Sequence, residues 1–148
     1  SGFIDDGLEW ISYILEKIEK SPLKNKIITT GFISEKEKQI LYKNAFASCL
    51  VGLHEGFGIP PLESLNHYTL PIVSSTTSLP EVVGEAGLLT NPKDPKDIAN
   101  KMWQALSMTT KEKGLFRKKA RNQLKKFDWD KSAETILNAL IEIANEKE

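Results

Sequence analysis

The feature that most restricts how this chain can fold is an alternation along its length. Short β-branched or apolar runs bounded by turn residues are separated by segments whose apolar residues recur at helical spacing. The connections offer no tight hairpin loops, so successive strands must lie parallel, with helices carrying the chain back across the sheet. Ala47 to Leu53 reads as a central strand, Leu70 to Ser74 as the next, and Gly87-Leu-Leu89 as an edge strand. Lys26 to Gly31 is a further β-branched run closed by glycine. Helices are expected from Gly7 to about Lys20, from Ser34 to roughly Phe46, from near Pro60, as a short turn from Ser78, from about Pro95 to Leu106, near Glu112 to Lys126, and from Asp130 to Asn145. On the first, Leu8, Ile11, Ile14, Leu15 and Ile18 make one buried stripe; on the second, Ser34 and Glu37 have capping-box spacing. The expectation is an α/β fold, a Rossmann-like three-layer lobe with a mainly parallel sheet, forming one domain over residues 1–148.

Composition narrows the function classes. A 148-residue chain with 40% apolar residues has material for one core, and its 20 basic and 20 acidic side chains balance, so a polyanion partner such as DNA or RNA is set aside. The single cysteine, Cys49, rules out a disulfide framework. It lies in an apolar run and reads as a buried, inert thiol, which fits a reducing cytosol. No apolar stretch approaches the ~18–20 residues of a membrane span, and the start lacks the basic and apolar segments of a signal peptide. The first residue is Ser1 rather than methionine, and the chain reads as a fragment of a longer protein.

The chemistry concentrates in Leu53-His-Glu-Gly-Phe-Gly-Ile-Pro-Pro-Leu-Glu63, at the expected carboxyl end of a strand, where open α/β sheets bind ligands. Gly56 and Gly58 remove β-carbons where strand turns to helix, so backbone N–H groups can approach a phosphate, aided by the positive end of the next helix. Pro60 and Pro61 are tolerated in that helix's first turn because its amides need no intrahelical partner. Glu55 and Glu63 cannot both face a diphosphate without repulsion, but carboxylates accept from vicinal hydroxyls, and a nucleotide-sugar carries hydroxyls on both sides of its diphosphate. Glu63, placed in the helix's first turn, would grip the ribose, while Glu55 faces the hexose.

With those residues in view, Glu55-Gly-Phe-Gly-Ile-Pro-Pro-Leu-Glu63 resembles the E-x7-E signature of retaining glycosyltransferases of GT-B type, in the large group 1, family 4 class. The likeness extends through Thr30-Gly-Phe-Ile-Ser34, Leu41-Tyr-Lys-Asn-Ala45, Pro71-Ile-Val-Ser74, Ser78-Leu-Pro-Glu-Val-Val-Gly-Glu-Ala-Gly87, Asn91-Pro92 and Phe127-Asp-Trp129, in the family's order. The resemblance implies the C-terminal, donor-binding half of such an enzyme, truncated at its N-terminal side. It would bind a nucleotide-diphosphate sugar and transfer a hexosyl unit, with retention and without a metal or other cofactor, to a glycan, lipid-linked or similar acceptor. Carried over, Glu55 is the catalytic residue. Glu55, Gly56, Phe57, Gly58, Ile59 and Glu63 bind the donor, and Gly31, Phe32 and Ile33 line the base. The implied partners are the donor and a missing N-terminal lobe holding the acceptor site. The implied setting is the cytoplasm, with peripheral membrane contact and a homo-oligomer as further expectations.

The sequence departs from the family pattern in places. The basic pair that usually neutralises the diphosphate is not in the chain, Val51-Gly52 replaces a common Pro-Ser, and Ser64 to Pro71 is one residue longer than usual. The fragment by itself is therefore expected to be inactive. The alternative is a non-catalytic nucleotide-binding or interaction module of α/β fold. Asp128-Trp-Asp130 has the spacing of a metal-binding D-x-D, but the reading preferred is that Asp130 caps the last helix and Trp129 packs. Trp10 and Trp103 are assigned to the core and His67 to a helix surface, while His54 either joins the site as a hydrogen-bond donor or is a loop residue without a role. The Lys-rich segment from Arg117 to Lys126 reads as a solvated helix face that could also meet anionic lipid.

Overall fold

A computed structural model describes residues 2–145. The chain divides into two compact units, one ending at Ser34 and one beginning at Glu35. The first contains α1 (Gly2–Glu19) and a 3-10 turn at Lys24–Lys26. The β-branched run that follows, predicted as a strand, has no strand ladder: Ile27 to Thr30 is irregular and Ile28 is 85% exposed. A strand exists by virtue of its ladder partner, and this unit offers only a helix and a turn. The stripe expected to be buried on α1 is likewise open at Ile11, Ile14 and Leu15, and Trp10 is exposed rather than core. A unit this short holds too little apolar mass to enclose a helix face.

The second unit contains α2 (Glu35–Asn44), β1 (Ala47–Leu50), α3 (Ile59–Asn66), β2 (Leu70–Ser74), α4 (Leu79–Val83), β3 (Leu88–Thr90), α5 (Pro95–Leu106), α6 (Thr110–Leu124) and α7 (Trp129–Asn145). The three strands form one sheet in the order β1-β2-β3, parallel throughout, with Ala47 opposite Leu70, Leu50 opposite Val73, and Ile72 opposite Leu88. The central strand β2 is buried at every residue, as expected for a parallel strand covered on both faces. Its alternation separates two apolar clusters. Leu70 and Ile72 pack with Leu65 of α3, Ala105 of α5, and Phe116 and Ala120 of α6. Val73 packs with Leu79, Val82 and Val83 of α4 and with Leu50 of β1.

Local chemistry sets the helix ends. Asp94 caps α5 by accepting from the Lys96 amide, and Thr109 with Glu112 forms a reciprocal capping box that starts α6 at Thr110, ahead of the predicted Glu112. Buried Gln123 of α6 donates to the carbonyls of Glu81 (2.7 Å) and Val82 (3.0 Å), tying α6 to the end of α4. Before α7, Asp128 rather than Asp130 takes the capping role: its Oδ1 accepts from the Asp130 amide at 3.0 Å, because the helix begins one residue earlier than predicted.

Three apolar assignments fail for geometric reasons. Trp103 stands 72% exposed, two positions from buried Ala105, and residues two apart on a helix point to nearly opposite sides. Trp129 is 85% exposed at the first position of α7, whose Ile136, Leu137, Leu140 and Ile141 are also exposed. β1, expected as a central strand, lies at the edge of the sheet among the described residues, and Cys49 on it is exposed, although enough protein surrounds its sulfur that burial pushes the thiol pKa up. Among the described residues, no helix is long and apolar enough to cross a membrane.

Candidate functional site

The site is built where the carboxyl ends of β1 and β2 lie side by side. Ser74, the buried last residue of β2, donates from Oγ to the Gly52 carbonyl at 2.6 Å and accepts from the Gly52 amide at 3.0 Å. One hydroxyl thus replaces a further rung of sheet and fixes where the loop 51–58 leaves β1. The Leu53 carbonyl is held from the same side by Thr76 Oγ1 at 3.4 Å.

The loop ends at Gly58, which has φ of 100° and immediately precedes α3. Glycine is required there twice over: the backbone is left-handed, and a β-carbon would lie 2.8 Å from Leu79 Cδ2. No side chain caps α3, and Pro60 and Pro61 in its opening turn carry no N–H, so among its first three residues Ile59 alone has a backbone amide to offer. Phe57 is secured on both sides. Its carbonyl accepts from Ser78 Oγ at 3.0 Å, and its half-exposed ring meets Phe127 edge-on at 5.9 Å and 85°. Gly56 has open space around its Cα, and its amide donates to Glu55 Oε1 at 3.0 Å. His54 is exposed on the loop.

Glu63 sits in the second turn of α3 rather than the first, because the helix starts directly at Ile59. Its Oε1 accepts from Lys38 Nζ at 2.7 Å and its Oε2 from Tyr42 Oη at 3.4 Å, both from α2. Lys38 also reaches Glu35 Oε2 at 3.0 Å, and these carboxylates raise the lysine pKa, chiefly through the bond to Glu63. Burial first, and the negative Glu63 second, push the Tyr42 phenol up. The Tyr42 ring stacks on His67 at 6.1 Å and 8°, which places this histidine partly buried at the C-terminal cap of α3 instead of on an open helix surface. Beneath Glu63, the buried hydroxyl of Ser64 accepts from Ser48 Oγ of β1 (2.7 Å) and donates to the Thr69 carbonyl (2.7 Å), while Thr69 Oγ1 bonds the Tyr42 carbonyl. The carboxylate therefore rides on a helix locked to strand and neighbouring helix by hydroxyls.

Of the residues singled out in the sequence, Glu55, Gly56, Phe57, Gly58, Ile59 and Glu63 all fall on this loop and helix, with both glutamates partly exposed and neither enclosed in the core. Gly31, Phe32 and Ile33 belong to the other compact unit. There, Gly31 is left-handed at φ 61° and Phe32 is fully exposed. Lys38, Tyr42 and Phe127 escaped the sequence reading as site residues. The i,i+4 spacing of Lys38 and Tyr42 was the available signal, since it puts both on one face of α2. Among the described residues, no three His, Cys, Asp or Glu side chains are grouped so as to hold a metal ion.

The family model "Glycosyl transferases group 1" matches residues 7–126. The chain is 33% identical over 136 residues to the serotype-specific mannosyltransferase WbdA of Escherichia coli, covering 90% of this chain and 16% of that protein. It is 32% identical to O-antigen chain mannosyltransferase B of Escherichia coli, covering 82% of this chain and 32% of that protein. In structure it resembles sucrose-phosphate synthase from Thermosynechococcus elongatus, with a TM-score of 0.76 at 22% identity over 90% of this chain and 34% of that one. The chain thus spans between about a sixth and a third of the length of these relatives. The parallel sheet, the covered central strand and these matches together mean that the chain belongs to the glycosyl transferases group 1 family, as a Rossmann-like C-terminal lobe of GT-B type.

Proposed function

We propose that this chain is the donor-binding lobe of a retaining glycosyltransferase that moves a mannosyl unit from a nucleotide-diphosphate sugar to a glycan or lipid-linked acceptor. The observation that carries this reading is the partly exposed Glu63 carboxylate, fixed on α3 next to the uncapped helix start at Gly58. A carboxylate on α3 and the amides of the glycine-flanked loop that leads into it suit a ligand with a diol beside a diphosphate. The choice of mannose rests on the names of the relatives.

In this reading Glu63 accepts from both ribose hydroxyls. The amides from Gly56 to Ile59 meet the diphosphate or the sugar, the Gly56 amide once Glu55 has turned away from it. Glu55, on the glycine-flanked loop, faces the hexose and stabilises positive charge as it develops on the anomeric carbon, with preorganised dipoles supplying the electrostatic part of the rate. The reaction uses no metal and no cofactor beyond the sugar donor, and the leaving diphosphate is stabilised by amides and by a basic pair that this chain does not supply. The acceptor and the remaining catalytic surface come from a second lobe. The reaction takes place in the cytoplasm, where the basic face of α6 gives peripheral contact with the membrane that carries the acceptor.

Calorimetric titration of mannose nucleotides carrying uracil, guanine or adenine tests the reading. One of them should bind, and Glu63→Ala should weaken it by about tenfold to a hundredfold, the worth of charge-assisted hydrogen bonds to two hydroxyls. Absence of binding by every nucleotide-sugar would instead favour a non-catalytic interaction module.

A further inference from the structure

The ion pair between Lys38 and Glu63 differs from the others recorded in this protein. It links α2 to α3, and what sets it apart among the described residues is that both side chains are only about 30% exposed (31% and 29%). The remaining recorded pairs each include a side chain that is 72% exposed or more. Lys38 is also held from behind by the exposed Glu35 at 3.0 Å, so its ammonium is anchored at two points before any ligand arrives.

Resting on the reading of Glu63 as the ribose acceptor, we propose that Lys38 is a positioning residue: it holds one oxygen of the Glu63 carboxylate from the neighbouring helix, so that the remaining lone pairs present a fixed acceptor to the vicinal diol of a nucleoside diphosphate. Each carboxylate oxygen has two acceptor sites. Lys38 occupies one on Oε1, and Tyr42, at 3.4 Å, sits more loosely against Oε2, leaving an acceptor on each oxygen for a hydroxyl. Without the lysine, Glu63 keeps only the long tyrosine contact and can rotate about its side-chain torsions toward water. The orientation that a two-hydroxyl ligand needs would then have to be restored at the moment of binding. An ion pair that retains this much solvent contact adds little to folding stability, so its placement serves geometry more than the fold.

The test compares wild type, Lys38→Met and Lys38→Arg in the full chain by titrating UDP, GDP and ADP against their 2′,3′-dideoxy (deoxy) counterparts, which lack both hydroxyls. The wild type should prefer the ribose form of its nucleotide by at least about tenfold. Lys38→Met should lose most of that preference while its affinity for the deoxy form and its melting temperature stay unchanged, and Lys38→Arg should retain the preference because it restores a cationic donor. Full ribose preference in a folded Lys38→Met protein would overturn the proposal while leaving Glu63 as the ribose acceptor. A wild type that binds ribose and deoxyribose forms alike, or binds none of them, would overturn the ribose reading of Glu63 and this proposal with it. Should Lys38→Met fail to fold, Lys38→Gln, which keeps a neutral donor, carries the same comparison.

Discussion

Glu63, Gly58 and Asp97 each hold a conformation or charge state for a reason that a single substitution can expose. Gly58 occupies a left-handed backbone position where a methyl group would strike Leu79. Gly58→Ala should therefore destabilise the protein by about 2 kcal/mol or more, seen as a lower urea midpoint with an unchanged slope. Asp97 accepts from the Asn91 amide at 2.8 Å and Thr90 Oγ1 at 2.9 Å, and these bonds hold its pKa below the usual aspartate range. A group whose folded pKa is depressed contributes stability that is present above its unfolded value, roughly pH 4, and is lost as pH falls through the folded value. Asp97→Asn should therefore lower stability at neutral pH and flatten the acid limb of the stability curve below about pH 4, measured by urea unfolding at a series of pH values. The placement of Glu55 on a loop and of Glu63 on the following helix was legible from the sequence, because glycines between an apolar run and a helical pattern mark that junction locally. Lys38 and Tyr42 were not, because their importance comes from facing a residue more than twenty positions away.

At the scale of elements, α6 and the segment after it support the site from outside the motif. The capping box at Thr109 satisfies two of the amides exposed at the start of α6, so Thr109→Ala should cost about 1 kcal/mol in thermal or urea unfolding. Phe127, just beyond α6, packs on the cluster that includes Val73 and Leu79 and meets the Phe57 ring edge-on. Phe127→Leu should leave the fold intact but loosen the loop, and a severalfold weaker affinity for a nucleotide-sugar in calorimetry would register this. Predicted helix positions held up where capping or periodicity acted locally, as at Pro95–Leu106. The β-branched run after Lys26 failed as a strand because its propensity is realised only when a neighbouring strand pairs with it.

For the whole molecule, the chain matches between about a sixth and a third of the length of the relatives it resembles. Much of the rate of group transfer comes from holding two substrates in register and excluding water. The 148-residue chain should therefore show no measurable sugar transfer by itself, assayed with a mannose nucleotide and candidate acceptors; turnover by the purified chain would overturn this. The linear order of residues by itself determined the parallel sheet, because connections without tight hairpins leave no other pairing, and it marked the loop from Glu55 to Glu63, because glycine spacing and carboxylate chemistry are local properties. Only the tertiary structure decided which apolar residues are enclosed. Trp10, Trp103, Trp129 and Cys49 satisfy sequence rules for burial yet stand exposed, since burial depends on what another element brings to that face. It also decided that Glu63 is gripped by Lys38, because a contact between helices depends on how two elements pack, and periodicity within either one carries no trace of it.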